Sequence, residues 1–186
     1  MLQYFRPALT LLLLFSLLTG VVYPLAVTGI AQLLWPRHAA GSLIIEGGTV
    51  RGSALTGQSF TSAHYFHGRP SAAGYDAAAS SGSNLGPTSA KLHARMAQQL
   101  ALLQAENPGV PVPAELLYSS ASGLDPDLSP AAANFQIARV AKARDLSGDV
   151  VRALVTQHTH NRALGFLGEP TVNVLALNRA LDALKR

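Results

Sequence analysis

The sequence lacks cysteine and is poor in charged residues, and each shortage excludes a class of protein. Without cysteine, the chain forms no disulfide and carries no thiol nucleophile. Charged residues make up 13% of the 186 positions, about half of the ~25% that is usual in soluble domains. Hydrophobic residues make up 48%, which excludes a disordered chain. The length corresponds to about one domain.

The charge shortage is concentrated in residues 7–36, which contain no Asp, Glu, Lys or Arg. As a helix this block would be about 45 Å long, enough to cross a hydrocarbon core of about 30 Å once. A single block excludes a polytopic membrane protein. We predict a short cytoplasmic tail at 1–6, a transmembrane helix at 7–36 and an extracytoplasmic domain at 37–186. We place the amino terminus in the cytoplasm because the α-amino group and Arg6 precede the apolar block, whereas Arg37 alone follows it closely. This difference is a slight positive-inside bias.

The second half of this block contains Gly20, Pro24 and Gly29, small or helix-bending residues typical of a helix packed on another membrane protein. Pro24 removes the bond to the carbonyl of Gly20, which predicts a kink unless a neighbour compensates. The alternative is a cleaved signal peptide. The apolar run is longer than the usual h-region and no clear small-residue cleavage site follows it, so a retained helix is favoured.

Beyond the membrane block, the patterns predict one soluble α+β domain. Strands are expected at 42–45, 55–60 and 171–174, and helices at about 89–103, 129–144, 147–159 and 177–184. The expected N-caps are Thr88 or Ser89 for the first of these helices, Ser129 for the second and Ser147 for the third. The net charge of +4 is spread out, so no nucleic-acid partner is expected. We place Arg139, Lys142 and Arg144 on one exposed helix face.

Residues 61–87 form the longest stretch without a clear period, and Ala, Ser and Gly dominate it. A structureless stretch of this length in a compact domain is usually functional or disordered. Tyr65, Phe66 and Tyr75 offer large apolar anchors, which favour an ordered, packed loop.

No local motif signals an enzyme. The glycines and hydroxyls at 82–89 precede a helix, but the spacing is shorter than in a Walker A motif and the lysine is missing, so a turn with an N-cap is favoured over an anion site. The acidic residues at 125–127 and Glu169 have no neighbouring nucleophile. The histidines allow an alternative, a membrane-anchored periplasmic domain that binds a metal or small ligand, although no acidic residue or cysteine has ligand-like spacing beside them. These histidines are His64, His67, His158 and His160.

Several segments together resemble the C subunit (KdpC) family of the Kdp-type potassium-transporting P-type ATPase. Their order and spacing agree over nearly the whole chain. The segments are Gly57-Gln58-Ser59-Phe60, Tyr65-Phe66-His67-Gly68-Arg69-Pro70-Ser71-Ala72, Ser81-Gly82-Ser83-Asn84-Leu85-Gly86-Pro87, Ser122-Gly123-Leu124-Asp125-Pro126, Ser129-Pro130-Ala131-Ala132, Arg139-Val140-Ala141, Gly168-Glu169-Pro170 and Val172-Asn173-Val174-Leu175. The chain departs from the family pattern at Asp127, where histidine is common, and at Thr171, where arginine is common.

The resemblance implies a non-catalytic accessory subunit of an ATP-driven potassium importer in the bacterial inner membrane. Its implied partners are a channel-like potassium-binding subunit, an ATP-hydrolysing subunit and membrane lipid. The family is described as a catalytic chaperone that raises ATP affinity of the ATP-hydrolysing subunit, so ATP is the only cofactor implied, and no metal site is expected. If the domain lies outside the membrane, this effect must be transmitted through other subunits.

We expect the loop to supply the partner interface and the small residues of the helix to supply its packing face. The expected interface residues are Tyr65, Phe66, His67, Arg69, Pro70, Asn84, Leu85 and Pro87. The expected helix-packing residues are Gly20, Pro24 and Gly29.

Overall fold

The computed structural model describes residues 2–184 and begins with a long apolar helix. Helix α1 (Leu2–Leu17) continues through a π-helical turn (Leu18–Val22) into α2 (Tyr23–Leu34). The stretch Gln3–Leu34 has 32 residues, a mean hydropathy of 2.1 and no buried share, so it is long and apolar enough to cross a membrane. The predicted N-terminal apolar helix is present. The outermost residues of the predicted tail and domain, 1 and 185–186, lie outside the described residues.

The structure accommodates Pro24 with the π-helical turn that precedes it. The N–H of Tyr23 donates to the carbonyl of Leu18, five residues back, instead of the usual four. Such a turn is a known way for a helix to absorb a disrupted hydrogen-bond ladder. Gly20 lies within this turn and Gly29 lies in α2, and a Cβ added at either position would meet no atom within 4 Å.

A short helix and a β-hairpin follow the long helix. Helix α3 (Pro36–Ala39) leads into strand β1 (Leu43–Glu46), which returns directly as β2 (Thr49–Ser53). Gly47 and Gly48 form the two-residue turn, and their φ angles of 57° and 77° suit the tight hairpin loops that need glycine. The predicted strand at 55–60 is wrong, because this turn returns the chain at residue 49 and the hairpin is complete before residue 55.

Contacts divide the chain into two compact units, one up to Arg51 and one from Gly52. The second unit contains four helices, three short strands and one 3-10 turn among its described residues. In chain order these are α4 (Ala90–Glu106), the 3-10 turn (Ala114–Leu116), β3 (Asp127–Leu128), α5 (Pro130–Arg144), α6 (Gly148–Gln157), β4 (Thr159–His160), β5 (Thr171–Asn173) and α7 (Val174–Ala183).

The predicted N-caps of α4, α5 and α6 are confirmed. The hydroxyl of Ser89 accepts from Leu92, that of Ser129 from Ala132, and that of Ser147 from Val150. A fourth cap sets the start of α7, because the side chain of Asn173 accepts from the N–H of Ala176. The last helix therefore begins at residue 174, three residues before the predicted start at 177.

The small sheet has the order β3-β5-β4 with antiparallel pairing, and Val172 in β5 pairs with Leu128 and Thr159. Val172 is fully buried, and helices α5, α6 and α7 supply most of the surrounding core. The predicted α+β class is confirmed. In α6 the buried stripe follows Val151, Leu154 and Val155, and Val150 is exposed.

Candidate functional site

Residues 62–67 have no helix or strand, yet every carbonyl in this segment accepts a hydrogen bond from a side chain. The donors lie on His67 itself, on α5 and on α7. The bonds are His67 Nε2 to Ser62 (3.0 Å), Arg139 Nη1 to Ala63 and to Tyr65 (2.9 Å each), Arg144 Nε to His64 (2.6 Å), Asn178 Nδ2 to Phe66 (2.9 Å) and Gln136 Nε2 to His67 (3.0 Å). We call this segment the clamped loop.

Two buried amides hold the centre of the clamped loop on both sides. The N–H of Phe66 donates to Asn178 Oδ1 and that of His67 donates to Gln136 Oε1, both at 2.8 Å. Each amide thus pairs with the N–H and the carbonyl of one residue, as a neighbouring strand does in a sheet. Because Gln136 is on α5 and Asn178 is on α7, the loop is fixed to two helices at once.

Arg139 and Arg144, which we predicted on an exposed helix face, instead point into the protein. Their side chains are 12% and 3% exposed. Besides the loop carbonyls, Arg139 Nε lies 3.2 Å from Glu106 and Arg144 Nη2 lies 2.7 Å from Asp182. The prediction is wrong because the clamped loop offers these guanidinium groups a row of acceptors, and a buried charge is tolerated when it is paired and hydrogen-bonded.

The aromatic side chains of the loop reach inward to different depths. Phe66 is fully buried and belongs to the main core, so its ring anchors the loop. Tyr65 is half-buried: its ring lies 4.9 Å from the guanidinium of Arg144, and its hydroxyl donates to Asp182 at 3.1 Å. The cation–π contact and the hydrogen bond fix the orientation of Tyr65 while part of it stays accessible.

His67 sits where burial and charge both disfavour its protonated form. Desolvation lowers its pKa below the ordinary 6.5, and the nearby Arg139 lowers it further. The Ser62 carbonyl and Glu106 oppose this shift. The ring is therefore held neutral in the folded protein near neutral pH, with Nε2–H directed at Ser62.

The next part of the loop is fastened to the segment at 120–125. Arg69 donates to Asp125 at 2.9 Å and lies 5.5 Å from the ring of Tyr118. The hydroxyl of Tyr75 donates to the Arg69 carbonyl at 2.6 Å, and desolvation, with Asp125 adding to it, raises the pKa of Tyr75. Ser71 donates to the carbonyl at 123 (2.5 Å). Two segments far apart in the sequence, at 65–72 and 122–126, therefore lie together in space.

The outer part of the loop is more accessible. Asn84 and Pro87 are exposed, while Pro70 and Leu85 are half-buried. Asn84 adopts a left-handed φ of 52°, which asparagine tolerates better than most residues. The structure thus places the predicted interface residues along one continuous, fastened loop with Phe66 beneath it.

Sequence reasoning missed Gln136 and Asn178, which hold the loop most directly. Both are polar residues at the helical spacing of the buried stripe, Gln136 between Ala132 and Val140 and Asn178 between Val174 and Leu181. A polar residue at such a position must find a partner. A polar residue on an otherwise apolar stripe was therefore the sequence feature that could have indicated a buried polar contact.

No three-ligand cluster forms around the histidines among the described residues. Among residues 2–184, no group of three or more His, Cys, Asp or Glu side chains is arranged to hold a metal ion. His67 and His158 each donate a ring N–H to a backbone carbonyl, of Ser62 and of Leu154. These bonds are structural.

The chain is similar to a set of known proteins along its whole length. A family model described as K+-transporting ATPase, c chain (KdpC) matches residues 5–183. The potassium-transporting ATPase KdpC subunit of Methylorubrum populi is 54% identical, with all of both chains covered. That of Caulobacter vibrioides is 57% identical over 98% of this chain and 94% of its own. The similarity includes both the apolar helix and the unit with the clamped loop.

Proposed function

The chain belongs to the KdpC family of K+-transporting ATPase c chains, and from this we propose that its clamped loop and the accessible residues that follow it, up to Pro87, form a docking surface for other subunits of the pump. Family membership makes the chain a non-catalytic accessory subunit of a membrane-associated potassium transport complex. What the clamped loop adds is a candidate mechanism for assembly.

The observation that carries the proposal is that the loop is already ordered before any partner binds. Its six carbonyls from Ser62 to His67 are all engaged, and Phe66 fixes it to the core. Binding to a flexible loop costs entropy for each side chain that becomes ordered, and a pre-ordered loop avoids most of that cost. The accessible parts of Tyr65, His67, Arg69, Pro70, Asn84, Leu85 and Pro87 form the proposed contact surface.

The proposed partners are a channel-like potassium-binding subunit and an ATP-hydrolysing subunit. We propose one transmembrane pass in the bacterial inner membrane, with the amino terminus in the cytoplasm and the soluble domain in the periplasm. The half of the helix containing Gly20, Pro24 and Gly29 would then pack on partner helices, because small residues let two backbones approach closely. Lipid would cover the rest of the helix.

We also propose that the subunit raises the ATP affinity of its ATP-hydrolysing partner without binding ATP itself. With the soluble domain outside, cytoplasmic ATP does not reach residues 82–89. The effect is then a coupling free energy passed through the membrane subunits, and such couplings commonly change affinity about 5- to 150-fold. Assembly through the clamped loop and the effect on ATP are therefore linked.

The test places a charge at the exposed far end of the proposed docking surface, beyond the clamped loop. In the Pro87→Glu variant, co-expressed with its partners, we expect less of the other subunits to co-purify and the KM for ATP of the remaining complex to rise. The matched control is Pro111→Glu, which changes another exposed proline after α4. Unchanged yield and unchanged KM in the Pro87→Glu complex would contradict docking through this surface. Calorimetry of the isolated chain with ATP tests separately whether the effect on ATP affinity is indirect. Stoichiometric binding of ATP to the isolated chain would contradict transmission through the partner subunits.

A further inference from the structure

A second feature, the tight turn at 163–167 between β4 and β5, is also rigid. Ala163 and Leu167 exchange two backbone hydrogen bonds, both at 2.9 Å. Arg162 and Glu169 close the base of the turn with an ion pair of 2.6 Å. Its backbone is therefore fixed by its own bonds.

The side chains of this turn are large, apolar and turned outward. Leu164 is 83% exposed, Phe166 is 70% exposed and Leu167 is 51% exposed. Single exposed apolar residues are common on protein surfaces, whereas a contiguous group marks an interaction site. Three such residues within four positions on one rigid turn form a contiguous group, which we call the apolar turn.

The backbone of Leu164 shows that folding alone does not explain this sequence. Its φ of 53° is left-handed, a conformation that suits glycine or asparagine and is an outlier for a bulky residue. A leucine here strains the backbone, and its exposed side chain gains nothing from the core. Strain of this kind is tolerated at functional sites, where the side chain is needed for something other than folding.

The chemistry of the turn selects a protein as its occupant. The carbonyls of Leu164, Gly165 and Phe166 have no hydrogen-bond partner among the described residues. In the hydrocarbon of a bilayer an unpaired backbone carbonyl is unfavourable enough that open loops are excluded from lipid. Arg162 is paired with Glu169, so the base offers no free cation to anionic headgroups. Three side chains are also too few for a dimer held by this turn alone, which would bury about 800 Å² on each partner, whereas a pump subunit that also contacts the proposed docking surface needs only a small added contact here.

We propose that Leu164, Phe166 and Leu167 insert into an apolar pocket on another subunit of the same pump, with hydrogen-bond donors around its rim. The donors pair with the three open carbonyls, and the pocket removes the three side chains from water. The proposal rests on the proposed function for the existence of a partner subunit. It concerns different residues, so the two contacts can be tested apart.

The experiment uses the full chain co-expressed with its pump partners. The double variant Leu164→Asn, Phe166→Ser removes apolar contact while keeping a residue that tolerates the left-handed backbone. We expect at least about a tenfold loss of co-purified partner, which is the effect of losing about 1.4 kcal/mol of binding, and a melting temperature for the isolated chain that is no lower than that of the unmodified chain. The control is Leu102→Asn, Val150→Ser, which makes equivalent changes at two other exposed positions.

The possible outcomes separate the two proposals. If the unmodified chain retains no partner, the proposed function fails. If it retains its partners and the double variant retains them equally well, the apolar turn proposal is overturned.

A fluorescent reporter distinguishes protein from lipid. In a Trp35→Phe background, which removes the only native tryptophan, Phe166→Trp places an indole in the turn. If the indole lies in a protein pocket, its emission shifts to the blue on assembly and is not quenched by lipids that carry bromine in their tails. Quenching by those lipids would overturn the proposed protein pocket.

Discussion

The clamped loop and the apolar turn are both irregular segments, but they are held in opposite ways. The clamped loop is fixed by side chains from α5 and α7, and the phenyl ring of Phe66 is fully buried in the core. The apolar turn is fixed by its own backbone bonds and directs Leu164 and Phe166 outward. The lesson is that order lowers the entropic cost of docking for both segments. The direction of their apolar side chains shows that only one of them also anchors the core.

This difference separates a segment that stabilises the fold as well as docking from one that serves assembly alone. The hydrogen bonds of the clamped loop form within the chain, so their loss should lower the free energy of unfolding. The exposed side chains of the apolar turn contribute little to folding, and the free energy of removing them from water remains available for binding. Substitutions in the two regions should therefore have different effects.

The largest expected effect is that of Asn178→Ala in the clamped loop's anchor on α7. Removing the amide leaves the N–H and carbonyl of Phe66 without partners in a buried place. Each unsatisfied group costs about 1–3 kcal/mol, so we expect the free energy of unfolding to fall by about 3 kcal/mol. Chemical denaturation of the purified full chain measures this change.

The matched control comes from the other region. Asn161→Ala removes the same side chain from an exposed position beside the apolar turn, and we expect a change within about 0.5 kcal/mol. Equal losses in the two variants would contradict the view that the clamp stabilises the fold.

The sequence was sufficient wherever the determining contacts are local. The caps at Ser89, Ser129 and Ser147 were predictable because each hydroxyl bonds an N–H three residues along the chain. The apolar span was predictable because composition alone defines it. The predicted strand at 55–60 failed because Gly47 and Gly48 turn the chain earlier.

The contacts that hold the clamped loop could not be predicted from local sequence patterns. Phe66 and Asn178 are separated by 112 positions, and His67 and Gln136 by 69. A sequence pattern gives helix faces, but it does not say which distant carbonyls will meet Arg139 or Arg144. For this reason the sequence analysis placed both arginines on a solvent-exposed helix face. Only the presence of polar residues on otherwise apolar stripes indicated that a buried polar contact was needed.

A smaller effect, of opposite sign, sharpens the comparison at the apolar turn. Leu164→Gly relieves the left-handed strain, and we expect it to raise the free energy of unfolding by about 1 kcal/mol while weakening assembly. Asp145→Gly is the control, because Asp145 has a similar φ of 55° at the end of α5. That variant should leave assembly unchanged. Full assembly with Leu164→Gly would show that Leu164 has no role in docking.

The smallest effect distinguishes the two regions by pH. Because the folded protein lowers the pKa of His67 below 6.5, the unfolded chain binds more protons as the pH falls through that range. The stability that the neutral ring contributes is complete above about pH 6.5 and is lost as the pH falls through the lowered pKa. Arg139 favours this loss, and Glu106 opposes it.

The His67→Gln variant should therefore lose less stability between about pH 7.5 and pH 5 than the unmodified chain, measured as the shift in denaturation midpoint. His160→Gln controls for the loss of an imidazole at an exposed position. The apolar turn has no titratable side chain from Ala163 to Leu167, so its docking should not acquire this dependence. If His67→Gln and the unmodified chain respond equally to pH, the clamped loop does not hold its histidine neutral, and the contrast with the apolar turn rests on the amide and guanidinium bonds alone.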